Sequence, residues 1–333
     1  MTLFYNGLMK IPTPTINYTL IQSLASYETA RKMVLAVDVP LSYLRKVESQ
    51  AVLKSSLYSA RIEGNKLSES SFENSKNEQA KQEVFNLIDA IEYIKHIPIR
   101  SPITPKTIRE LHAKVLNGLS ADAGNLRTQQ NAIFDQFGGV RYLPPPPITM
   151  RKDLDTLLAY CNEPAEFPIL TALIAHLVFE KIHPFIDGNG RVGRLLVTLT
   201  LNAQGQTFPF IIPFDHYLES HRDLYYRYID IGTKDIGGYL LFMLEALTNE
   251  LTALHAELTH KQISTGHYLS PRREEIVNII KDHPYITMDG IHRRFLGVPI
   301  RTLRYDIAQL VNSGHVQKVG TTKGSCYIKG REN

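Results

Sequence analysis

The chain has 333 residues, of which 43% are hydrophobic and 21% charged, and its formal net charge at pH 7 is +4. This length allows two or three domains, and no apolar run is long enough to span a bilayer, which argues against a membrane protein. The first fifteen residues lack the apolar segment of a signal peptide, and the two cysteines lack zinc-site spacing, so we expect a cytoplasmic protein.

Helical periodicity dominates the first hundred residues. Apolar residues recur at helical spacing over 41–62 and again over 79–96. Thr104 and Pro105 then begin another helix, because threonine is a good N-cap and proline fits the first helical position. We therefore predict an N-terminal helical region over residues 1–103.

The helical pattern breaks between Gly124 and Pro147. Two short stretches, 131–134 and 140–143, lie on either side of a Gly-Gly pair, and four consecutive prolines follow them. This arrangement predicts a β-hairpin, and the prolines are expected to exclude helix immediately after it.

Helical spacing returns after the prolines and predicts a mainly α protein. The expected helices cover 151–161, 168–182, 188–202, 215–231 and 235–260. The helix over 168–182 is apolar nearly all round, so we expect it to lie at the centre of the fold.

The most informative segment, HPFIDGNGRVGR at residues 183–194, leads into the predicted helix 188–202. A histidine such as His183 can take a proton near neutral pH, and a carboxylate such as Asp187 can hold a hard divalent cation. The turn at 188–190 frees backbone N–H groups at a helix N-terminus, where anions are favoured. Arg191 and Arg194 are three residues apart, so both are expected to reach phosphate oxygens from one helix face.

The spacing of this segment matches H-x-F-x-[DE]-[AG]-N-[GK]-R-x-x-R, so it resembles the Fic family of nucleotidyltransferases. The resemblance implies a helical catalytic core, expected over 104–260, that moves AMP from ATP to a Ser, Thr or Tyr hydroxyl of a target protein. Self-modification is one form of this reaction. Mg²⁺ is the implied cofactor.

The resemblance also implies a role for each residue of the motif. His183 would be the general base, Asp187 would hold Mg²⁺, and Phe185 would anchor the loop in the core. The hairpin, introduced by Gly124-Asn125-Leu126-Arg127, resembles a flap that pairs with the target backbone. The residues expected to contact the nucleotide are Glu63, Arg141, Tyr142, Leu143, Pro144, Asp187, Gly188, Asn189, Gly190, Arg191, Val192, Gly193, Arg194, Tyr225 and Tyr226.

Two features near the predicted adenine site have alternative interpretations. Tyr225 and Tyr226 resemble a tyrosine pair that flanks the adenine, although Thr233 stands where some relatives have asparagine. His176 lies seven residues before His183. We interpret it as a structural histidine rather than as half of a two-histidine metal site.

A second motif, Ser59-Ala60-Arg61-Ile62-Glu63-Gly64, matches the pattern [ST]-x-x-x-E-[GN] that Fic proteins use for self-inhibition. A carboxylate in the last turn of a helix opposes the helix dipole by about 0.3–1 kcal/mol, so a cation opposite Glu63 is expected. By the resemblance, that cation is Arg194, and Ser59 orients the pair. An exposed glutamate at a frayed helix end is the alternative.

The chain changes character after the predicted linker at 261–266. Three helices, at 271–282, 287–295 and 299–313, precede two short strands, so that residues 268–333 resemble a winged helix-turn-helix. From Ser270 onwards, the sequence contains eleven Lys and Arg residues and six Asp and Glu residues, a weak indication of a polyanionic partner. The side chains expected to project outward and contact DNA are Arg301, Arg304 and Tyr305.

Several alternatives stay open at this point. The third domain could instead bind protein or support a homodimer, with its charges on a solvated face. The catalytic segment would also suit a Fic enzyme with another phosphate donor, or one that removes AMP with Glu63 positioning water. A nucleotide-sensing DNA-binding transcription regulator and a toxin are the remaining possibilities.

Overall fold

The structure is a computed structural model that describes residues 9–134, 139–206, 208, 211–264, 269–283, 285–320 and 325–330. Helices account for most of these residues, which confirms the mainly α fold class. Within these ranges, none of the helices has the length and apolar character needed to cross a membrane. The chain divides into two compact units, the first made of Met1–Asp38 and Tyr43–Leu258 and the second of Val39–Ser42 and Thr259–Asn333.

The N-terminal part of the first unit is helical. Its helices are α1 (Tyr18–Leu35), α2 (Leu41–Ile62), α3 (Glu69–Phe72), α4 (Glu78–His96) and α5 (Pro105–Val115). The bounds of α2 are those predicted, and α4 differs from its prediction by one residue. The Thr104 hydroxyl accepts a hydrogen bond from the Thr107 N–H, which confirms the predicted cap of α5. α1 is not among the predicted helices.

The predicted hairpin consists of two short antiparallel strands, β1 (Ile133–Phe134) and β2 (Val140–Tyr142). Its tip, residues 135–138, lies outside the described residues. The next helix, α6 (Pro147–Asn162), begins at the last of the four prolines. The predicted start of this helix at residue 151 is therefore wrong, because a proline is well suited to the first helical position, while residues 143–146 directly after the hairpin are not helical, as expected.

Two helices form the centre of the first unit. These are α7 (Pro168–Ile182), which is buried along nearly its whole length as predicted, and α8 (Asn189–Ala203). α7 packs mainly against α8. Burial of a leucine or phenylalanine side chain contributes about 1.5–3 kcal/mol, so this pair is a firm support for the loop that joins it.

The first unit continues with α9 (Asp215–Ser220), α10 (Arg222–Ile231), a 3₁₀ turn (Gly232–Asp235) and α11 (Ile236–Ser264). The prediction of one helix over 215–231 is wrong, because His221 leaves the helical conformation with φ −119° and ψ 36°. α11 also extends through residues 261–264, so the first part of the predicted linker is helical. The rest of that segment, 265–266, lies outside the described residues.

The second unit contains α12 (Pro271–Lys281), α13 (Met288–His292) and α14 (Ile300–Asn312). Its sheet has the strand order β3 (Ile286–Thr287), β5 (Cys326–Lys329), β4 (Val316–Val319), and both pairings are antiparallel. The two strands predicted after the third helix are thus present as β4 and β5, and β3 is an additional strand. Residues of all three helices and the sheet share one apolar core, which includes Ile276, Ile291, Leu303, Ile307 and Val316.

Candidate active site

The loop between α7 and α8 is closed by its own side chains. His183 ends α7 in the left-handed conformation, with φ 50° and ψ 60°. The Phe185 N–H donates to Asn189 Oδ1, and Asn189 Nδ2 donates back to Phe185 O, both at 2.9 Å. Phe185 is fully buried, as expected, and its ring stacks on His112 at a centroid distance of 3.6 Å. The asparagine and phenylalanine of the motif therefore shape the loop.

Arg127 holds this loop from outside the motif. Its Nε donates to His183 O at 2.8 Å, and its Nη2 donates to the carbonyls of Ile182 and Pro145. Its backbone N–H donates to Pro184 O at 3.0 Å. The arginine of the segment that introduces the flap is thus buried among backbone carbonyls of the catalytic loop and the chain after the hairpin.

His112 on α5 is a second support, and the sequence patterns do not reveal it. The Gly124 N–H donates to His112 Nδ1 at 2.9 Å, so the ring proton is on Nε2, which donates to Asp187 O at 2.9 Å. Burial lowers the pKa of His112 and keeps the ring neutral. No spacing links a lone histidine on α5 to a motif some seventy residues later, so only the structure identifies this contact.

Asp187 lies just before α8, and its side chain is 66% exposed. Its Oδ1 accepts from the Gly188 N–H at 2.6 Å and from Arg191 Nη2 at 3.1 Å. The described residues contain no group of three side chains that could hold a metal ion by themselves. An exposed carboxylate on its own still fits Mg²⁺ bound to a nucleotide, because Mg²⁺ usually takes one or two carboxylates together with phosphates and water.

Arg194 is buried, with 2% of its side chain exposed, and it has several partners. Its Nε lies 2.9 Å from Ser59 Oγ, and its Nη2 lies 2.9 Å from Ser59 O and 3.0 Å from Glu63 Oε1. Arg191 pairs with Asp187 instead. The two arginines that were expected to act together on phosphate thus have separate partners.

Glu63 follows the last residue of α2 and covers the beginning of α8. A methyl group added at Gly190 would overlap Glu63 Oε1, so the carboxylate lies directly against the glycine turn. Anions are favoured at this end of a helix. The structure therefore brings the inhibitory motif and the catalytic motif into contact, as predicted, with Glu63 where an anionic ligand would bind.

A cavity of about 410 Å³ opens beside these groups. The predicted residues that line it are Glu63, Tyr142, His183, Gly190, Arg194, Tyr225 and Tyr226. The lining residues that were not predicted are Glu180, Lys181, Arg222, Ile229 and Asp230. The predicted contacts that are not part of this lining are Leu143, Pro144, Asp187, Gly188, Asn189, Arg191, Val192 and Gly193, and nothing of the Arg141 side chain is described.

The state of the His183 ring follows from its surroundings. Burial, the largest cause, lowers the pKa of His183 to about 4, so the imidazole is neutral at pH 7. Its Nδ1 lies 3.4 Å from Glu180 O, and a carbonyl can only accept, so Nδ1 carries the proton. Nε2 is then the nitrogen that can take a proton from a substrate.

Glu180 is a second carboxyl group at the cavity. Its Oε1 is buried without a hydrogen-bond partner among the described residues, and it lies close to Gly193, where a methyl group would be 2.5 Å from it. Burial, followed by the charge of Glu63, raises the pKa of Glu180 to about 7. Its only sequence signal is its place one turn before His183.

The tyrosine pair has one buried and one less buried member. Tyr225 is buried, and its hydroxyl donates to His176 Nε2 at 3.0 Å. His176 Nδ1 donates to the Tyr239 hydroxyl at 2.8 Å, which in turn donates to Leu173 O. His176 is therefore structural, as we interpreted it. The Tyr226 hydroxyl donates to Ile62 O at 3.2 Å, near the end of α2.

In the second unit, α14 places its polar residues as predicted. Arg301, Arg304 and Tyr305 are exposed, whereas Leu303 and Ile307 face the core. Two other arginines of this unit, Arg272 and Arg273, pair with the buried Asp306 at 2.6 and 2.8 Å.

Residues 102–201 match the model of the Fic/DOC family. The Protein adenylyltransferase Fic of Drosophila willistoni is 28% identical over 244 residues, which are 68% of this chain and 46% of that protein. The protein of the same name from Aedes aegypti is 28% identical over 224 residues, 62% of this chain and 42% of that one. The chain thus spans less than half the length of these curated relatives.

Solved structures show the same fold. A Fic family protein from Desulfovibrio desulfuricans superposes with a TM-score of 0.72 at 19% identity, over 97% of this chain and 99% of that one. A Fic domain containing signaling protein from Bacteroides thetaiotaomicron gives 0.58 at 20% identity, over 73% of this chain and 97% of that one. Residues 102–201 thus match the Fic/DOC family, and the chain has the fold of these solved Fic proteins.

Proposed function

We propose that the chain is a protein adenylyltransferase, which moves AMP from ATP to a Ser, Thr or Tyr hydroxyl of a target protein or of itself. The names of its relatives support this activity. The observation that carries the proposal is that one cavity is lined by His183, with a neutral imidazole, and by Gly190 and Arg194 at the start of α8. A proton acceptor and an anion site thus open into the same space.

In the proposed reaction, His183 Nε2 takes the proton of the attacking hydroxyl. The hydroxyl oxygen forms a bond to the α-phosphorus of ATP, the bond to the bridging oxygen breaks, and pyrophosphate leaves. Asp187 would hold Mg²⁺, which would neutralise charge on the phosphates. The α8 N-terminus and Arg194 would bind the outer phosphates. Such positioning and charge neutralisation supply most of the acceleration in phosphoryl transfer.

We propose further that Glu63 inhibits this activity. Its carboxylate accepts from Arg194 Nη2 and covers Gly190, which are the groups that the outer phosphates would need. Ser59, one turn before Glu63 on α2, accepts two hydrogen bonds from Arg194. With 30% of its side chain exposed, Glu63 can leave without opening the core.

The direct test compares Glu63→Gly with Glu63→Gly/His183→Ala, each incubated with ATP and Mg²⁺ and examined by mass spectrometry. We expect an added AMP on the first protein and none on the second. The absence of adducts from both, with a panel of candidate proteins present, would contradict the proposal. Labelled GTP, CTP and UTP in parallel identify a different donor, and loss of the adduct on longer incubation identifies removal of AMP.

The helices, the sheet and the exposed arginines of the second unit support a second function, the binding of DNA. Three helices with a small sheet suit a winged helix-turn-helix, and Arg301 and Arg304 lie exposed on α14. We propose that this unit binds DNA through α14, with Tyr305 beside the two arginines. Binding to protein or assembly of a homodimer through the same unit would show instead as a complex that forms without DNA.

A further inference from the structure

Asp215, the first residue of α9, makes a buried contact with Arg194 that neither motif contains. Its Oδ1 lies 3.1 Å from Arg194 Nε, and only 4% of its side chain is exposed. Its other oxygen, Oδ2, accepts a hydrogen bond of 2.6 Å from the Ser55 hydroxyl. Both oxygens of this carboxylate therefore have a partner, and α2, α8 and α9 each contribute a side chain to the arrangement.

The partners of Arg194 lie on two edges of the guanidinium group. Asp215 and the Ser59 hydroxyl contact Nε, at the edge next to the aliphatic part of the side chain. Glu63 and the Ser59 carbonyl contact the terminal nitrogen Nη2. The other terminal nitrogen, Nη1, has no hydrogen-bond partner among the described residues and lies near Gly190, which lines the cavity. The terminal edge is thus the one that lies toward the cavity.

The two carboxylates differ in how firmly they are held. Glu63 lies at a helix end with 30% of its side chain exposed. Among the described residues, its carboxylate has only the hydrogen bond from Arg194. An anion that competes for Arg194 therefore displaces Glu63 without breaking another hydrogen bond. Asp215 is nearly inaccessible to water and is fixed by Ser55. Removal of Glu63 therefore takes the only carboxylate among the described residues from the terminal edge of Arg194, where Ser59 O stays on Nη2, while Asp215 stays at the Nε edge.

We propose that Asp215, itself oriented by Ser55, is a positioning residue that keeps the Arg194 guanidinium directed into the cavity when Glu63 is absent. The inference rests on the proposed function, in which Arg194 binds the outer phosphates of ATP. An arginine side chain has many rotamers, and a bond at Nε fixes the plane of the whole guanidinium group. AMP has no outer phosphates, so its binding does not depend on this contact.

The experiment measures the binding of ATP and of AMP by calorimetry, with Glu63→Gly as the parent protein. In this parent, Asp215→Ala is expected to weaken ATP binding by about tenfold and to leave AMP binding unchanged. Asp215→Asn should retain more ATP binding than Asp215→Ala, because its amide oxygen keeps a polar contact beside Nε and its amide nitrogen can donate to Ser55. Ser55→Ala should weaken ATP binding by about threefold.

Ser56 provides a matched control for Ser55. It is equally buried on the same helix, and its hydroxyl has no hydrogen-bond partner among the described residues. Ser56→Ala should leave both affinities unchanged. If Asp215→Ala does not fold, the comparison of Ser55→Ala with Ser56→Ala tests the inference: weaker ATP binding in Ser55→Ala alone supports it, and equal ATP binding in both contradicts it.

The outcomes separate the two proposals. A parent that binds AMP as tightly as ATP contradicts the role of Arg194 in the proposed function, and the inference about Asp215 with it. A parent that prefers ATP, with the same preference in Asp215→Ala and Ser55→Ala, contradicts the inference alone. Equal loss of ATP and AMP binding in Asp215→Ala shows a purely structural role and also overturns it.

Discussion

Arg194 Nη2 donates a hydrogen bond to Glu63 Oε1 over 3.0 Å, although 131 residues separate the two in sequence. This contact joins the end of α2 to the second turn of α8. The carboxylate also covers Gly190 at the α8 N-terminus, where the free N–H groups and the helix dipole favour an anion. In the function proposed above, Glu63 therefore competes with a triphosphate for this site.

Replacement of Glu63 should raise activity. We expect Glu63→Gly to incorporate about tenfold more labelled AMP than the wild type, the factor that follows when about 1.4 kcal/mol of competition is removed. Glu73→Gly, at another exposed glutamate beyond a helix end, is the control and should behave as the wild type. Equal incorporation in Glu63→Gly and wild type would show that Glu63 is not inhibitory.

The two arginines of the motif should differ in their effect on stability. Arg194→Ala leaves Asp215 buried with its charge uncompensated, so we expect the free energy of unfolding to fall by about 3–5 kcal/mol. Arg191→Ala should cost less than this, because its partner Asp187 is largely exposed and stays hydrated when the arginine is removed, so that mainly the packing of the buried Arg191 side chain is lost. Urea denaturation of both variants measures the difference, and similar losses would argue against the buried pair.

Acid should destabilise the protein through His183. The pKa of this ring is about 4 in the folded state and about 6.5 in an unfolded chain, so the unfolded state binds more protons between these pH values. Stability is then lost as the pH falls from about 6.5 to 4. His183→Asn, which tolerates the left-handed conformation, removes this contribution. The Tm of the wild type should therefore fall relative to that of the variant over this window.

Glu180 should have the opposite pH dependence. Its pKa of about 7 in the folded state lies above the ordinary value of 4.5, so the folded state retains a proton that the unfolded chain releases. Stability is lost as the pH rises from about 4.5 to 7. Glu180→Gln cannot ionise, so its Tm should increase relative to that of the wild type as the pH rises across this range. A constant difference between the two proteins would show that Glu180 is ionised throughout.

DNA binding by the second unit should depend on α14. We expect Arg301→Ala/Arg304→Ala to weaken binding of a DNA duplex and to reduce the slope of log affinity against log salt by about 1 for each phosphate that is no longer neutralised. Lys281→Ala, an exposed cation at the end of α12, is the control. Gel-shift titrations at several salt concentrations measure both quantities, and an unchanged slope would exclude α14 as the DNA-binding element.

Local sequence signals predicted much of this fold. The bounds of α2, the cap of α5 and the loop from His183 to Arg194 each depend on residues within a few positions of one another. Contacts between distant segments were not accessible in this way. β3 has only two residues and forms its pairing with β5 some forty residues later. His112, Asp215 and Glu180 belong to no motif, and their partners become apparent only in three dimensions.

The break at His221 and the continuation of α11 illustrate a second limit of prediction from sequence, the placement of helix ends. Helical spacing extends across 215–231, yet the backbone turns at His221 and the two halves become α9 and α10. Conversely, residues 261–264 were predicted as part of a linker and are helical. The spacing of apolar residues predicts which segments are helical and which face is buried. The conformation of a single residue at a junction between helices depends instead on the packing around it.

Arg127 lies well upstream of the twelve residues by which the catalytic segment is recognised, yet it gathers the carbonyls of Ile182, His183 and Pro145 around one guanidinium group. A lysine offers no planar fork and could not replace these bonds. In the function proposed above, a homologue that keeps every letter from His183 to Arg194 but lacks this arginine would therefore pass a search for the motif and lose the support of the loop. Surveys of such genes should count Arg127 as a ninth diagnostic position beside the eight that the pattern specifies.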